Sequence, residues 1–142
     1  IYKNKPIFYS LGNFIFQNDL IKKQPSDLYE RYKLDWNATP ADLYDAREKG
    51  LPEYIEMGFK WFTEKQIYWQ TVVVYCILDE NGVKEIKLYP VDLGYNKSRP
   101  HRGRPILAKG KRAKEIIEKV KELSKPYGTK IKFKDGIGII QL

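Results

Sequence analysis

The side chains best suited to binding a ligand fall in one short stretch, Arg99-Pro100-His101-Arg102-Gly103-Arg104-Pro105. Guanidinium groups hold carboxylates and phosphates in forked, two-point geometry, which makes Arg99, Arg102 and Arg104 candidate anion ligands with His101 beside them. The two prolines restrict the loop and lower the entropy lost when it orders. One reading is contact with an anionic polymer or a phosphoester. The other is a solvated loop whose arginines pair with acids elsewhere in the chain. His101 alone reads as a polar loop residue rather than a metal ligand or a general base. The carboxylates Asp19, Asp27, Asp35, Asp42 and Asp45 are dense but lack calcium-loop spacing. No acid–base pair can be picked out from their order.

Composition narrows the chemistry further. The chain has 142 residues and a formal net charge of +8, with one Cys and one His. A single Cys excludes an internal disulfide and a zinc ribbon, and a single His excludes a multi-His metal site. With 14% aromatic residues, disorder is disfavoured. No uncharged run approaches the roughly 20 residues that a spanning helix needs. The charge is uneven: residues 1–95 carry twelve Lys/Arg and fourteen Asp/Glu, and residues 96–134 carry fourteen Lys/Arg and three Asp/Glu. A pI near 9.4 permits nucleic-acid binding. The chain nevertheless has no helix-turn-helix spacing, zinc finger or RNA-binding aromatic motif, so nucleic acid is disfavoured as a partner.

The elements that must position these residues are alternating strands and helices. Ile1–Tyr2 and Ile7–Leu11 read as strand pieces around a polar turn, with Ile7-Phe8-Tyr9 apolar on both faces like a buried strand. Gly12-Asn13 marks a sharp turn, because both residues tolerate positive φ. In the irregular stretch 17–66, Ser26 reads as the cap of a short helix. Thr39-Pro40-Ala41-Asp42 reads as the start of a helix that ends at Gly50. Residues 53–64 read as a loop or short helix.

Ile67–Leu78 is the strongest strand, followed by an Asn81-Gly82 turn and a return strand, Val83–Leu93, in which Pro90 suggests an edge or a bend. Gly110–Ser124 reads as an amphipathic helix, with Ala113, Ile116, Ile117, Val120 and Leu123 on one face and Glu115 paired to Lys119. Pro126 ends it. Thr129–Phe133, a turn at Asp135-Gly136, and Ile137–Leu142 close the chain as a hairpin. Trp36, Trp61 and Trp69 suit either core packing or stacking on a sugar.

Three stretches together resemble a known family. Lys5-Pro6-Ile7-Phe8-Tyr9-Ser10-Leu11-Gly12-Asn13-Phe14-Ile15-Phe16 closely resembles a signature of the CapA or PgsA capsule-synthesis proteins, named for poly-γ-glutamate biosynthesis. Thr71–Val74 with Leu88–Leu93 is similar to a later part of that family. So is the run from Ala108 through Thr129 to Gly138. Residues 17–66 match no named family.

The resemblance implies an α+β fold: the C-terminal strands and helices of a two-sheet sandwich like the calcineurin-type metallophosphatases. Residues 1–95 would be the end of that domain, with a helical insert at about 17–66. Residues 96–142 would add the basic loop, the helix and the hairpin. It also implies a divalent metal (Mn, Fe, Zn or Mg) whose ligands lie mostly before this stretch, in motifs that include a Gly-His-x-His-like segment. Ser10, Gly12 and Asn13 would then line the site beside the metal without ligating it, and no metal ligand would come from this chain.

Further expectations follow. The chain opens at Ile1 and its single Met is Met57, so it reads as the C-terminal part of a larger protein whose N-terminal remainder is its first partner. An anionic polymer or phosphoester, and a capsule-synthesis membrane complex, are the other partners implied. The location implied is the cell surface, outside the cytoplasm, with no anchor in this chain. The alternative is a non-catalytic polyanion-binding module acting through residues 96–134.

Overall fold

Gln70-Thr-Val-Val-Val-Tyr-Cys-Ile-Leu-Asp79 is dense in β-branched and aromatic side chains, which fit a pleated surface, and it forms strand β1. A two-residue turn at Glu80-Asn81 returns it as β2, Gly82–Asp92, in antiparallel register from Gln70↔Asp92 to Asp79↔Gly82. The computed structural model describes residues 5–17, 20–51 and 66–141. Among them the fold is α+β. Helices α1 (Ser26–Arg31) and α2 (Pro40–Lys49) precede the hairpin. Strand β3 (Ile106–Leu107), helix α3 (Gly110–Ser124), and strands β4 (Lys130–Lys134) and β5 (Ile137–Gln141) follow it.

The five strands make one sheet in the order β1-β2-β5-β4, with β3 also on β2. Strand β2 therefore joins residues 1–95 to the later part of the chain: Leu88 pairs with Gly138, and Val91 pairs with Leu107. Helix α3 packs on one face. Ile116 and Ile117 meet Val72, Ile86, Leu88, Ile131 and Ile140 in the main core. Gly138 permits the approach, because a Cβ there would lie 3.1 Å from Ile117 Cδ1 and Cγ2.

Several expectations hold in detail. Helix α3 spans Gly110–Ser124 with Ala113, Ile116 and Ile117 buried, and the final hairpin turns through Asp135 (φ 51°) and Gly136 (φ 81°). Two successive positive φ values match the right-handed twist of the strands. Thr39 caps α2: its hydroxyl donates to the Asp42 carboxylate (2.6 Å) and accepts from the Asp42 N–H (3.4 Å).

Other expectations need correction. Ser26 is the first residue of α1 rather than its cap, a position taken by Pro25. Gln66–Trp69 is a 3-10 turn, not strand, and its Trp69 carbonyl accepts from the Leu93 N–H at the far end of the hairpin (2.9 Å). Pro90 lies inside the central strand, opposite Val72. Its carbonyl accepts from Ala108 (2.9 Å), so its missing donor faces the gap where the neighbour of β2 changes from β5 to β3. No ladder bond is lost there. Lys119 turns to Glu122 (2.9 Å), and Glu115 faces Arg112 (3.6 Å).

The largest difference is at residues 7–16. They form no ladder strand, and Ile7 and Tyr9 are 51% and 74% exposed rather than buried. They touch the sheet at the start of β1, where the Thr71 hydroxyl bonds to the Leu11 carbonyl, without joining its ladder. The expectations for Ile1–Tyr2 and for residues 53–64 lie outside the described residues.

Candidate functional site

Gly12 takes φ +85°, as its place in the sequence predicts, and it rests on β1: a Cβ there would lie 3.4 Å from Thr71 Oγ1. The buried Thr71 hydroxyl donates to the Leu11 carbonyl, which pins the turn to the start of β1. Ser10, Gly12 and Asn13 all stand exposed around this anchor. Asn13 can therefore present its amide to a ligand oxygen or a bound water without losing a buried partner. Among the described residues no group of three His, Cys, Asp or Glu converges. The residues at this turn do not by themselves make a metal site.

The arginines of the 99–105 loop do not converge. Arg99 forms an ion pair with Asp45 of α2, and its guanidinium also reaches the Ala41 carbonyl (3.4 Å). Arg102 lies over the indole of Trp69, 5.3 Å from the ring centroid, an attraction between a cation and the ring's negative face. His101 Nδ1 lies 3.0 Å from Ser98 Oγ within the same turn. Arg104 is exposed. Two of the three arginines thus make contacts within the chain, Arg99 to an acid and Arg102 to an aromatic ring.

The loop is fixed by its backbone. Gly103 N–H donates to the Leu93 carbonyl (2.6 Å), and its own carbonyl accepts from the Phe16 N–H (2.9 Å). At φ +77° Gly103 packs so closely that any Cβ would overlap the Phe16 carbonyl. Phe16 meets Trp69 edge-on, with centroids 4.8 Å apart, and Trp69 belongs to a small buried cluster with Val91 and Leu93. Trp69 is thus a core residue, and the chain joins the predicted metal-side turn to the predicted anion loop through Phe16. That link was not foreseen from the sequence, although Gly103 between two arginines was a visible signal of a close backbone approach.

Two of the other carboxylates, Asp35 and Asp42, are occupied locally. Asp35 accepts from the Asn37 N–H (2.8 Å) and Asp42 caps α2. The Thr39 hydroxyl, and after it the Thr39 N–H, hold the Asp42 carboxyl below its ordinary value. Arg112 reaches Asp92 (3.6 Å) and Glu115 (3.6 Å). On the sheet face away from α3, Lys130, Lys132 and Lys134 alternate outward along β4.

A second feature was invisible in the sequence. A groove of about 680 Å³ runs between residues 6–12 and α3, floored by core residues Val72, Ile86 and Leu88. Tyr9 bridges it by stacking on Tyr127, with centroids 4.9 Å apart.

No model of a protein family matches the chain. It is similar to two uncharacterized proteins of Sinorhizobium fredii (strain NBRC 101917 / NGR234), y4sH and y4uA. Each is 38% identical over 142 residues, which is all of this chain and 31% of the relative. The chain thus spans about a third of the length of the curated relatives it matches. No helix among the described residues is long and apolar enough to cross a membrane.

Proposed function

We propose that this chain is the C-terminal segment of a CapA-like capsule-synthesis protein, a member of a poly-γ-glutamate-type system with a metallophosphatase-like fold. The observation that carries the proposal is the Lys5–Phe16 motif, with its turn pinned by Thr71 to the edge of the sheet and its Asn13 left exposed. The relatives' greater length also supports the reading, because it supplies polypeptide for a second sheet and for the missing ligands.

In this reading a divalent ion (Mn, Fe, Zn or Mg) is held by residues outside the chain. When bound it would supply metal-assisted hydrolysis of a phosphoester. The chain's own contributions are distinct. Gly12 sets the turn. Asn13 and Ser10 offer hydrogen bonds to a ligand oxygen. Arg104, the exposed arginine of its loop, meets an anionic polymer or phosphoester. The protein would work at the cell surface, with a capsule-synthesis membrane complex as partner. The test is metal content and phosphatase activity of full-length y4sH with Mn²⁺. Failure to bind any divalent ion would sink the enzymatic reading.

A second reading has one observation in its favour. Lys130, Lys132 and Lys134 line one exposed face of β4, as a non-catalytic polyanion-binding module would require. Binding of poly-γ-glutamate would then fall steeply with salt. Salt-independent binding, or none, would remove it.

A further inference from the structure

Helix α3 packs on one face of the sheet, where Val72, Ile86, Leu88, Ile131 and Ile140 meet Ile116 and Ile117 in the main core. Side chains alternate along a strand, so the residues between these point to the opposite face. The register sets four of them in one row across four strands. Tyr75 pairs with Lys87, Lys87 with Ile139, and Ile139 with Lys132. Paired side chains of such a row have Cβ atoms about 4.5–5.5 Å apart. Tyr89 lies next along this face from Lys87, opposite Val73. Val73 and Tyr75 are 39% and 52% exposed, and Lys130, Lys132 and Lys134 are exposed as well. Lys87 contacts Glu85 of the same face (3.0 Å), whereas the three β4 lysines make no ion pair among the described residues.

Lysines on β4 alone would be accounted for as the charges that keep an edge strand from pairing with another chain. That account does not reach Tyr75 and Tyr89, which stand on this face two and three strands away. We propose that this face of the sheet binds an anionic polysaccharide, with sugar rings on Tyr75 and Tyr89 and acid groups at Lys87 and the β4 lysines. This rests on the polyanion-binding reading and names its ligand. Charge complementarity favours an acidic partner. Successive outward lysines on β4 stand about 7 Å apart, which suits a chain with acid groups at regular intervals. The tyrosines favour a ligand with rings: each offers an apolar ring face and a polar tip, and poly-γ-glutamate has no ring to lay on it.

The test is calorimetric titration of the full-length protein with polygalacturonate, phosphorylated dextran, neutral dextran and poly-γ-glutamate. One or both of the acidic glycans should bind, and the tighter one identifies carboxylate or phosphate as the charged group. Neutral dextran should not bind. Tyr75→Ala should weaken glycan binding about fivefold, as expected for the loss of a stacked ring, and Tyr75→Phe should restore it. Replacing Lys130, Lys132 and Lys134 together by Gln should weaken it at least about tenfold. Circular dichroism checks that each variant folds. If Tyr75→Ala does not fold, the Tyr75→Phe and lysine variants still decide: full binding by the lysine variant would overturn the proposal. Failure of both acidic glycans to bind would overturn it too. Poly-γ-glutamate binding as tightly as the glycans, unchanged by Tyr75→Ala, would overturn it while leaving the polyanion reading in place. Tighter binding of single-stranded oligo-dT would overturn it in favour of nucleic acid.

Discussion

Tyr9 stacks on Tyr127 with ring planes inclined at 29°. The segment of residues 5–16 is thereby tied to the short turn that follows α3, across the groove between them. A stacked pair is worth about 0.5–1.5 kcal/mol beyond its area. Tyr127→Ala should therefore cost little global stability but should speed hydrogen exchange in residues 7–12. Unchanged exchange there would show that the stack does not hold the segment.

Gly138 is a packing glycine. Ile117 is fully buried and Ile131 nearly so, which leaves little room for them to retreat. Gly138→Val should lower stability by about 1–3 kcal/mol, the usual cost of overpacking. Gly138→Ala should cost less, since it also restricts the unfolded chain. Urea denaturation monitors both.

Gly103 combines positive φ with backbone contact. Gly103→Ala should detach Phe16 from the loop and change the fluorescence of Trp69, which both Phe16 and Arg102 touch. Arg102→Ala should change the same signal, and Arg104→Ala should not. Equal responses from Arg102 and Arg104 would contradict the placement of the loop.

The cap of α2 makes a prediction about pH. Thr39→Ala should cost about 1 kcal/mol, typical for the loss of an N-cap. Because the folded-state pKa of Asp42 is depressed, its contribution is present above the ordinary carboxylate value of 3.8 and is lost as pH falls through the lowered folded value. Between pH 7 and that acid range, the stability difference between Thr39→Ala and the parent should stay constant, and it should shrink below it. Thermal melts across pH 2–7 test this.

Patterns set by local chemistry were legible in the sequence. The N-cap at Thr39, the helical face from Ala113 to Val120, and the Asp135-Gly136 turn all depend on residues close in sequence. Three things were not. Ile7-Phe8-Tyr9 is apolar enough for a buried strand, but burial needs a partner that the described residues do not supply. Pro90 reads as an edge signal, yet it sits in the central strand because two short strands leave a gap beside it. Arg99 and Arg102 look like ligand-binding side chains, and only the tertiary fold brings Asp45 and Trp69 to them.

We propose that this segment serves a metal-dependent phosphoesterase in a longer protein. The most direct measurement is elemental analysis of purified full-length y4sH together with its Mn²⁺-dependent hydrolysis of an aryl phosphate. The expected result is about one or two divalent ions per chain and hydrolysis that chelation removes, as a metal-assisted mechanism requires. A protein that binds no divalent ion and hydrolyses no phosphoester would contradict the claim.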